Sequence, residues 1–181
     1  GTFDLISKNY PGHIMFTLED ELEREMLWGD FLKAAIVALS RKYELRRGIK
    51  GVIEGTLPVG GLSSSAAVIL TYLNAVCIAN DIQITRPEII SNAIWAERNY
   101  IGVNVGKLDQ SCEVYCRKNG LLFLDTLDDS NEIIPVSSNM KPFEIMIVFG
   151  GKERQLAGSA YNTRVDECKA AAYALQAYAG M

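Results

Sequence analysis

Leu57-Pro58-Val59-Gly60-Gly61-Leu62-Ser63-Ser64-Ser65-Ala66-Ala67 joins the end of one kind of pattern to the start of another, through a glycine pair and three serines. Before it, Gly48 to Leu57 sets Ile49, Gly51, Ile53, Gly55 and Leu57 against Lys50, Val52, Glu54 and Thr56, the period of two of a half-buried strand. After it, Ser63 to Asn80 carries Ala66, Ala67, Val68, Ile69, Leu70, Leu73, Val76 and Ile78 with no charge, which predicts a helix apolar nearly all round and therefore buried. Glycines let the backbone approach a ligand and take positive φ. The first N–H groups of the following helix lack intrahelical partners and carry the positive end of its dipole. Such a strand-loop-helix junction suits an anion, phosphate above all, and the serine hydroxyls add donors to phosphate oxygens or hard ligands for Mg²⁺. It is not a Walker A loop, because no Gly-Lys-Ser/Thr follows the glycines. A plain serine-capped helix start is the simpler reading, but a cap needs one hydroxyl, and three on an uncharged helix leave polarity that wants a ligand.

Outward from this junction the chain reads as strands and helices joined by short turns, which argues an α/β or α+β fold. Phe31, Leu32, Ala35, Ile36 and Leu39 recur at helical spacing between Leu27 and Leu45. Thr85-Arg86-Pro87-Glu88 is a helix start, with Thr85 as cap, Pro87 in the first turn and Glu88 at the capping-box position, and the helix is expected to run to about Tyr100. Val105 to Arg117 predicts another helix. Leu121 to Leu124 predicts a short strand closed by the acidic turn Asp128-Asp129-Ser130, Phe143 to Phe149 a second apolar strand, and Tyr161 to Ala179 an Ala-rich helix.

Composition limits the function classes. The chain has 181 residues, of which 49% are hydrophobic and 22% charged, so it can build a core and is not disordered. The net charge of −4, with no basic run beyond Arg46-Arg47, argues against a nucleic-acid partner. No segment approaches the ~20 apolar residues of a membrane span, and the first residues have neither a basic nor an apolar leader region, so a soluble, cytoplasmic protein is expected. Cys77, Cys112, Cys116 and Cys168 form no CxxC pair, and with His13 as the single histidine they are read as ordinary small apolar side chains. His13, in a Pro-Gly-His turn, is expected to be exposed, Asp128 and Asp129 to be solvated, and Lys152 and Arg154 to be surface charges. Between Glu97 and Asp109 lies the turn Ile101-Gly102-Val103-Asn104, so the two carboxylates can converge on one site. Asp109 is favoured over Glu97, because it lies between Leu108 and the Cys112/Val114 face.

The serine-rich stretch resembles the second motif of the GHMP kinases, the family of galactokinases, homoserine kinases, mevalonate kinases and phosphomevalonate kinases, and three other stretches point to its galactokinase branch. Trp28-Gly29-Asp30-Phe31 is similar to a Trp-x-x-Tyr that opens a helix, Gly106-Lys107-Leu108-Asp109-Gln110-Ser111 resembles G-I-M-D-Q, and Tyr161-Asn162-Thr163-Arg164-Val165-Asp166-Glu167-Cys168 resembles Y-x-x-R-x-x-E-C. The last of these, with Tyr-Asn-x-Arg-Val, is closest to the galacturonokinases. The resemblance implies an ATP-dependent sugar 1-kinase with ATP and Mg²⁺. Gly60, Gly61, Leu62, Ser63, Ser64, Ser65 and Ala66 would hold the nucleotide, Ser65 and Glu97 would be the metal ligands, Asp109 would be the catalytic aspartate acting on the sugar's anomeric hydroxyl, and Tyr161 would touch the sugar. It also implies an α+β fold, with an S5-like first domain that contains a left-handed βαβ crossover over residues 1–139 and the beginning of a ferredoxin-like second domain over 140–181.

Two departures stand out. The loop is one residue shorter than the family's P-x-G-x-G-L-S-S-S, and nothing matches the family's N-terminal G-R-x-N-x-I-G-E-H-x-D-Y or its glycine-rich C-terminal motif. The expectation is a fragment with little activity alone, its end exposing apolar surface that favours self-association. The alternative is a galactokinase-like sensor that binds sugar and nucleotide, and a protein partner, without turnover. Retention of Asp109 favours the enzyme. Galactose and galacturonate are not distinguished by this sequence.

Overall fold

The computed structural model describes residues 1–56, 61–141, 143–148 and 160–180; the residues named above at positions 57–60, 149, 152 and 154 lie outside them. Strands β1 (Thr2–Ser7) and β2 (His13–Thr17) pair antiparallel, and β3 (Lys50–Ile53) pairs parallel with the other edge of β1, giving the order β2-β1-β3. Alternation decides the faces. Phe3 and Leu5 of β1 are buried against the helices, with Phe3 stacked on Phe16 at 5.0 Å, while Asp4 faces outward and binds His13 and Lys50, each at 2.7 Å.

Helices α1 (Asp30–Ser40) and α2 (Ser64–Ala79) cover the sheet's inner face, and α3 (Arg86–Trp95) packs beside them. Leu32, Ala35, Ile36 and Leu39 of α1 meet Ile69, Leu73 and Val76 of α2 in one continuous core. Helix α1 is shorter than its periodicity suggests. Its N-terminal side is a strap held by side chains of the helix itself: the buried Asp30 carboxylate accepts from the Glu25 N–H at 3.0 Å and the Met26 N–H at 2.7 Å, and Lys33 donates to the Glu23 carbonyl at 2.9 Å. A Cβ at Gly29, ahead of it, would fall 2.2 Å from Ile14 Cδ1, so any larger residue there requires the Ile14 side chain to shift.

Three expectations need correction. Helix α2 is not buried all round: Ala67, Thr71, Asn74 and Ile78 form an exposed stripe at helical spacing, because one face of α2 has no element packed on it. Thr85 makes no side-chain cap bond to α3, and Glu88 instead accepts from Lys42 and from the Tyr43 hydroxyl at 2.6 Å. Residues Phe143 to Val148 form no strand, since no partner ladder among the described residues meets their backbone groups. The sequence reading also passed over three strands, β1, β2 and β5 (Asn131–Pro135). The last pairs antiparallel with β4 (Gly120–Leu124) around the acidic turn, where Ser130 N–H donates to Asp128 at 2.9 Å and Lys107 pairs with Asp129.

Beyond Trp95 the helix continues as a π-helical segment, Ala96–Ile101, and after a turn α4 runs over Leu108–Tyr115. Helix α5 (Tyr161–Ala179) has the predicted bounds and no buried residue. No helix among the described residues is long and apolar enough to cross a membrane.

Candidate functional site

The junction ahead of α2 has the backbone its glycines and serines suggest. Gly61 takes φ +80°, and Ser63 is also left-handed at φ +56°, an unusual conformation for a residue with a side chain. Ser63 makes no side-chain cap bond, so its hydroxyl is not spent on capping the helix. The Ala67 N–H donates to the Ser63 carbonyl at 3.1 Å across the helix start, and the backbone N–H groups of Ser63 to Ala66 have no backbone partner among the described residues. Leu62 is exposed, Ser64 half-buried and Ser65 buried, while the Ala66 methyl is turned into the core, so that only its backbone is available to a ligand. Gly60 lies outside the described residues.

Ser65 leads to the most deeply buried carboxylate of the site. Glu97 sits in the π-helical segment with 2% of its surface exposed, whereas Asp109 is exposed at the first turn of α4 and is not turned into the apolar face that Leu108 and Cys112/Val114 suggested. A π turn adds a residue to the helical winding and so re-aims the side chains along it, and such turns recur at functional sites. Burial pushes the Glu97 carboxyl above its ordinary range. The Ser65 hydroxyl and the Gln110 side-chain amide, both hydrogen-bonded to it, act in the opposite direction, and the nearby Asp109 charge raises it further. Gln110 is 1% exposed, donates Nε2 to Glu97 Oε2 and leaves its Oε1 buried without a partner. On α4, Glu113 is one turn beyond Asp109; though its side chain reaches solvent, crowding by the protein and the Asp109 and Glu97 charges push its carboxyl up to about 7.

The site therefore unites the start of α2, the π-helical segment and the start of α4. The turn between Glu97 and Asp109 is braced from several sides. Gly102 closes the π segment in the left-handed conformation, the Val103 N–H donates to the Glu97 carbonyl at 3.0 Å, and Arg98 donates Nε and Nη2 to the Val105 carbonyl at 2.8 and 2.6 Å. From α5, Asn162 reaches the same turn: its Nδ2 donates to the Gly102 carbonyl at 2.9 Å and its Oδ1 accepts from the Asn104 N–H at 2.9 Å. Tyr161, the sequence candidate for a sugar contact, is the residue before it. Gln110 and Asn162 stand in stretches quoted from the sequence but were given no role of their own there, and Glu113 was not singled out.

The donor set fits a hard divalent cation. Mg²⁺ uses one or two carboxylate or hydroxyl ligands together with phosphate oxygens and waters, and the Glu97 carboxylate beside the Ser65 hydroxyl is a set of that kind. A buried carboxylate faced by a hydroxyl and an amide, with no cation paired to it among the described residues, is also a place where a positive charge would be stabilised.

The three-stranded mixed sheet, the hairpin of β4 and β5 and the helices packed with them define an α+β protein. Residues 30–117 match the family described as GHMP kinases N terminal domain, and the chain is similar to members of that family over most of its own length. It is similar to the galacturonokinase of Arabidopsis thaliana, 35% identical over 162 residues that cover 87% of this chain and 38% of that protein. It is similar also to the galactokinase of Thermococcus kodakarensis, 34% identical over 89% of this chain and 45% of that protein. The crystal structure of Lactococcus lactis galactokinase complexed with galactose superposes with a TM-score of 0.87 at 31% identity, covering 98% of this chain and 46% of that one. The chain spans less than half the length of these relatives.

Proposed function

We propose that this chain is the nucleotide-binding part of an ATP-dependent sugar 1-kinase of the galactokinase or galacturonokinase type, with residues 1–139 forming most of the nucleotide domain and 140–181 the beginning of a second. The observation that carries the reading is the buried Glu97, set between Ser65 at the head of the serine loop and Gln110 beside Asp109. The backbone amides from Gly61 to Ala66, with Gly60, receive the phosphates of ATP, where the α2 dipole favours negative charge. Ser65 and Glu97 hold Mg²⁺, which neutralises charge on the phosphate oxygens when bound. Exposed Asp109 accepts the proton of the anomeric hydroxyl, or orients that hydroxyl toward the γ-phosphoryl group. It stays open to a substrate while Glu97 is closed to one. Tyr161 contacts the sugar. The apolar side chains of Phe143, Ile145 and Met146 are exposed, and self-association of the isolated chain would cover them.

Asp109→Ala tests the central role. In a protein that carries this chain and turns over, kcat is expected to fall by about 10²–10⁴-fold, the usual contribution of a general base, with ATP affinity nearly intact. Unchanged turnover would refute the assignment.

A further inference from the structure

Asn162 is the residue through which α5 grips the turn between the Glu97-bearing and Asp109-bearing elements. Its side chain has the donor and acceptor pair of a peptide group, and it meets one carbonyl and one N–H of the same turn, both at 2.9 Å. The Gly102 carbonyl lies at the end of the π segment, where a helix leaves C=O groups without partners, and the Asn104 N–H lies in the turn just beyond it. The fit is specific to asparagine: aspartate keeps the acceptor and loses the donor, glutamine is a methylene too long for the same ring, and alanine loses both. Helix α5 buries none of its residues, so this contact is not a by-product of apolar packing. The neighbour carried on the same first turn of α5 is Tyr161.

We propose that Asn162 is a positioning residue, a latch that fixes the head of α5, and with it Tyr161, to the turn separating Glu97 from Asp109, and so holds the sugar-contacting side of the site in register with its phosphate side. The inference rests on the sugar-kinase reading given above for Tyr161 and Asp109. A latch of this kind acts on sugar affinity and leaves nucleotide affinity alone, because the serine loop and Ser65 approach Glu97 from the opposite element, α2. A general loss of folding would lower both.

Two readouts on this chain, with Asn162→Ala and Asn162→Asp compared to wild type, test it. In hydrogen exchange, the Asn104 amide is expected to be protected in the wild type, to lose that protection in Asn162→Ala, and to keep most of it in Asn162→Asp, which retains the acceptor. In titrations with galactose and separately with Mg²⁺ and ATP, Asn162→Ala is expected to weaken galactose about tenfold, the change that 1.4 kcal/mol produces, with nucleotide affinity unchanged and Asn162→Asp intermediate. Equal Asn104 exchange in wild type and Asn162→Ala would overturn the latch. Parallel loss of sugar and nucleotide binding, or no loss of sugar binding, would overturn the positioning role. If wild type binds nucleotide but neither galactose nor, in a parallel titration, galacturonate, the sugar reading of Tyr161 fails, and the positioning role falls with it; the exchange data then decide whether the latch survives as a purely structural contact.

Discussion

Helices α2 and α5 are of similar length and both are rich in apolar residues, yet Leu73 of α2 is 0% exposed and Leu175 of α5 is 69% exposed. Helix α2 packs against α1, α3 and α4 and buries Ile69, Leu70, Tyr72, Leu73 and Val76, so tertiary packing stabilises it despite its many β-branched residues. Helix α5 has Ala170, Ala171, Ala172 and Ala174 in its favour, the pairing of Arg164 with Glu167, and the Asn162 latch at its head. Propensity and surface pairs of this kind contribute only tenths of a kcal/mol each, since most helical stability in proteins comes from packing of an apolar face. The difference teaches that helical periodicity tells which residues share a face and does not tell whether anything covers it.

The largest effect that would sharpen this contrast is on stability. Leu73→Ala is expected to cost about 2–5 kcal/mol by urea unfolding, the range for emptying a buried leucine site, whereas Leu175→Ala should stay within about 0.5 kcal/mol as at other exposed positions. A comparable loss at both positions would mean that α5 is packed in solution, by a second copy or by another segment, and the contrast between the two helices would break.

A smaller effect distinguishes the buried site from the surface through pH. The carboxyls of Glu97 and Glu113 are both raised, Glu113 to about 7, so in the metal-free folded chain they bind protons more tightly than in the unfolded chain. The unfolded state therefore carries fewer protons between the ordinary glutamate value near 4.5 and about 7, and the stability these groups contribute at low pH is lost as pH rises through that window. Asp4, Glu44 and Glu88 are shifted down by their cationic partners and act below it with the opposite sign. Glu113→Gln should flatten the decline between pH 5 and 8, modestly because the side chain is partly solvated. A slope unchanged by the substitution would place Glu113 fully in water.

Much of the fold was legible where a helix declares itself over several turns. The cores of α1, α2, α4 and α5 and the run from α3 into the π segment lie where the periodicity of Leu32 to Leu39, Ile69 to Val76 and Ile89 to Tyr100 puts them. Strands β1 and β2 were not legible, because Phe3 and Leu5 supply only two inward positions and their pairing with Phe16 and Gly51 is set by contacts distant in sequence. Phe143 to Val148 failed in the other direction: β-propensity describes a residue's fit to a neighbouring strand and does not supply the neighbour. In the site, the serine loop could be read because a helix start needs one capping hydroxyl and this one carries three. The depth of Glu97 could not, since the π winding that re-aims it leaves no mark in the residue types, and Gln110 and Asn162 act through partners far along the chain.

The claim on which the rest depends is that the Ser63–Ala66 loop and buried Glu97 form a cradle for nucleotide phosphates. Calorimetric titration of the chain with Mg²⁺ and ATP, with Ser64→Ala and Ser65→Ala alongside, tests it most directly. The account predicts saturable binding that weakens in both variants, more for Ser65, whose hydroxyl also meets Glu97. Absence of binding in the wild type, or binding indifferent to both substitutions, would contradict it.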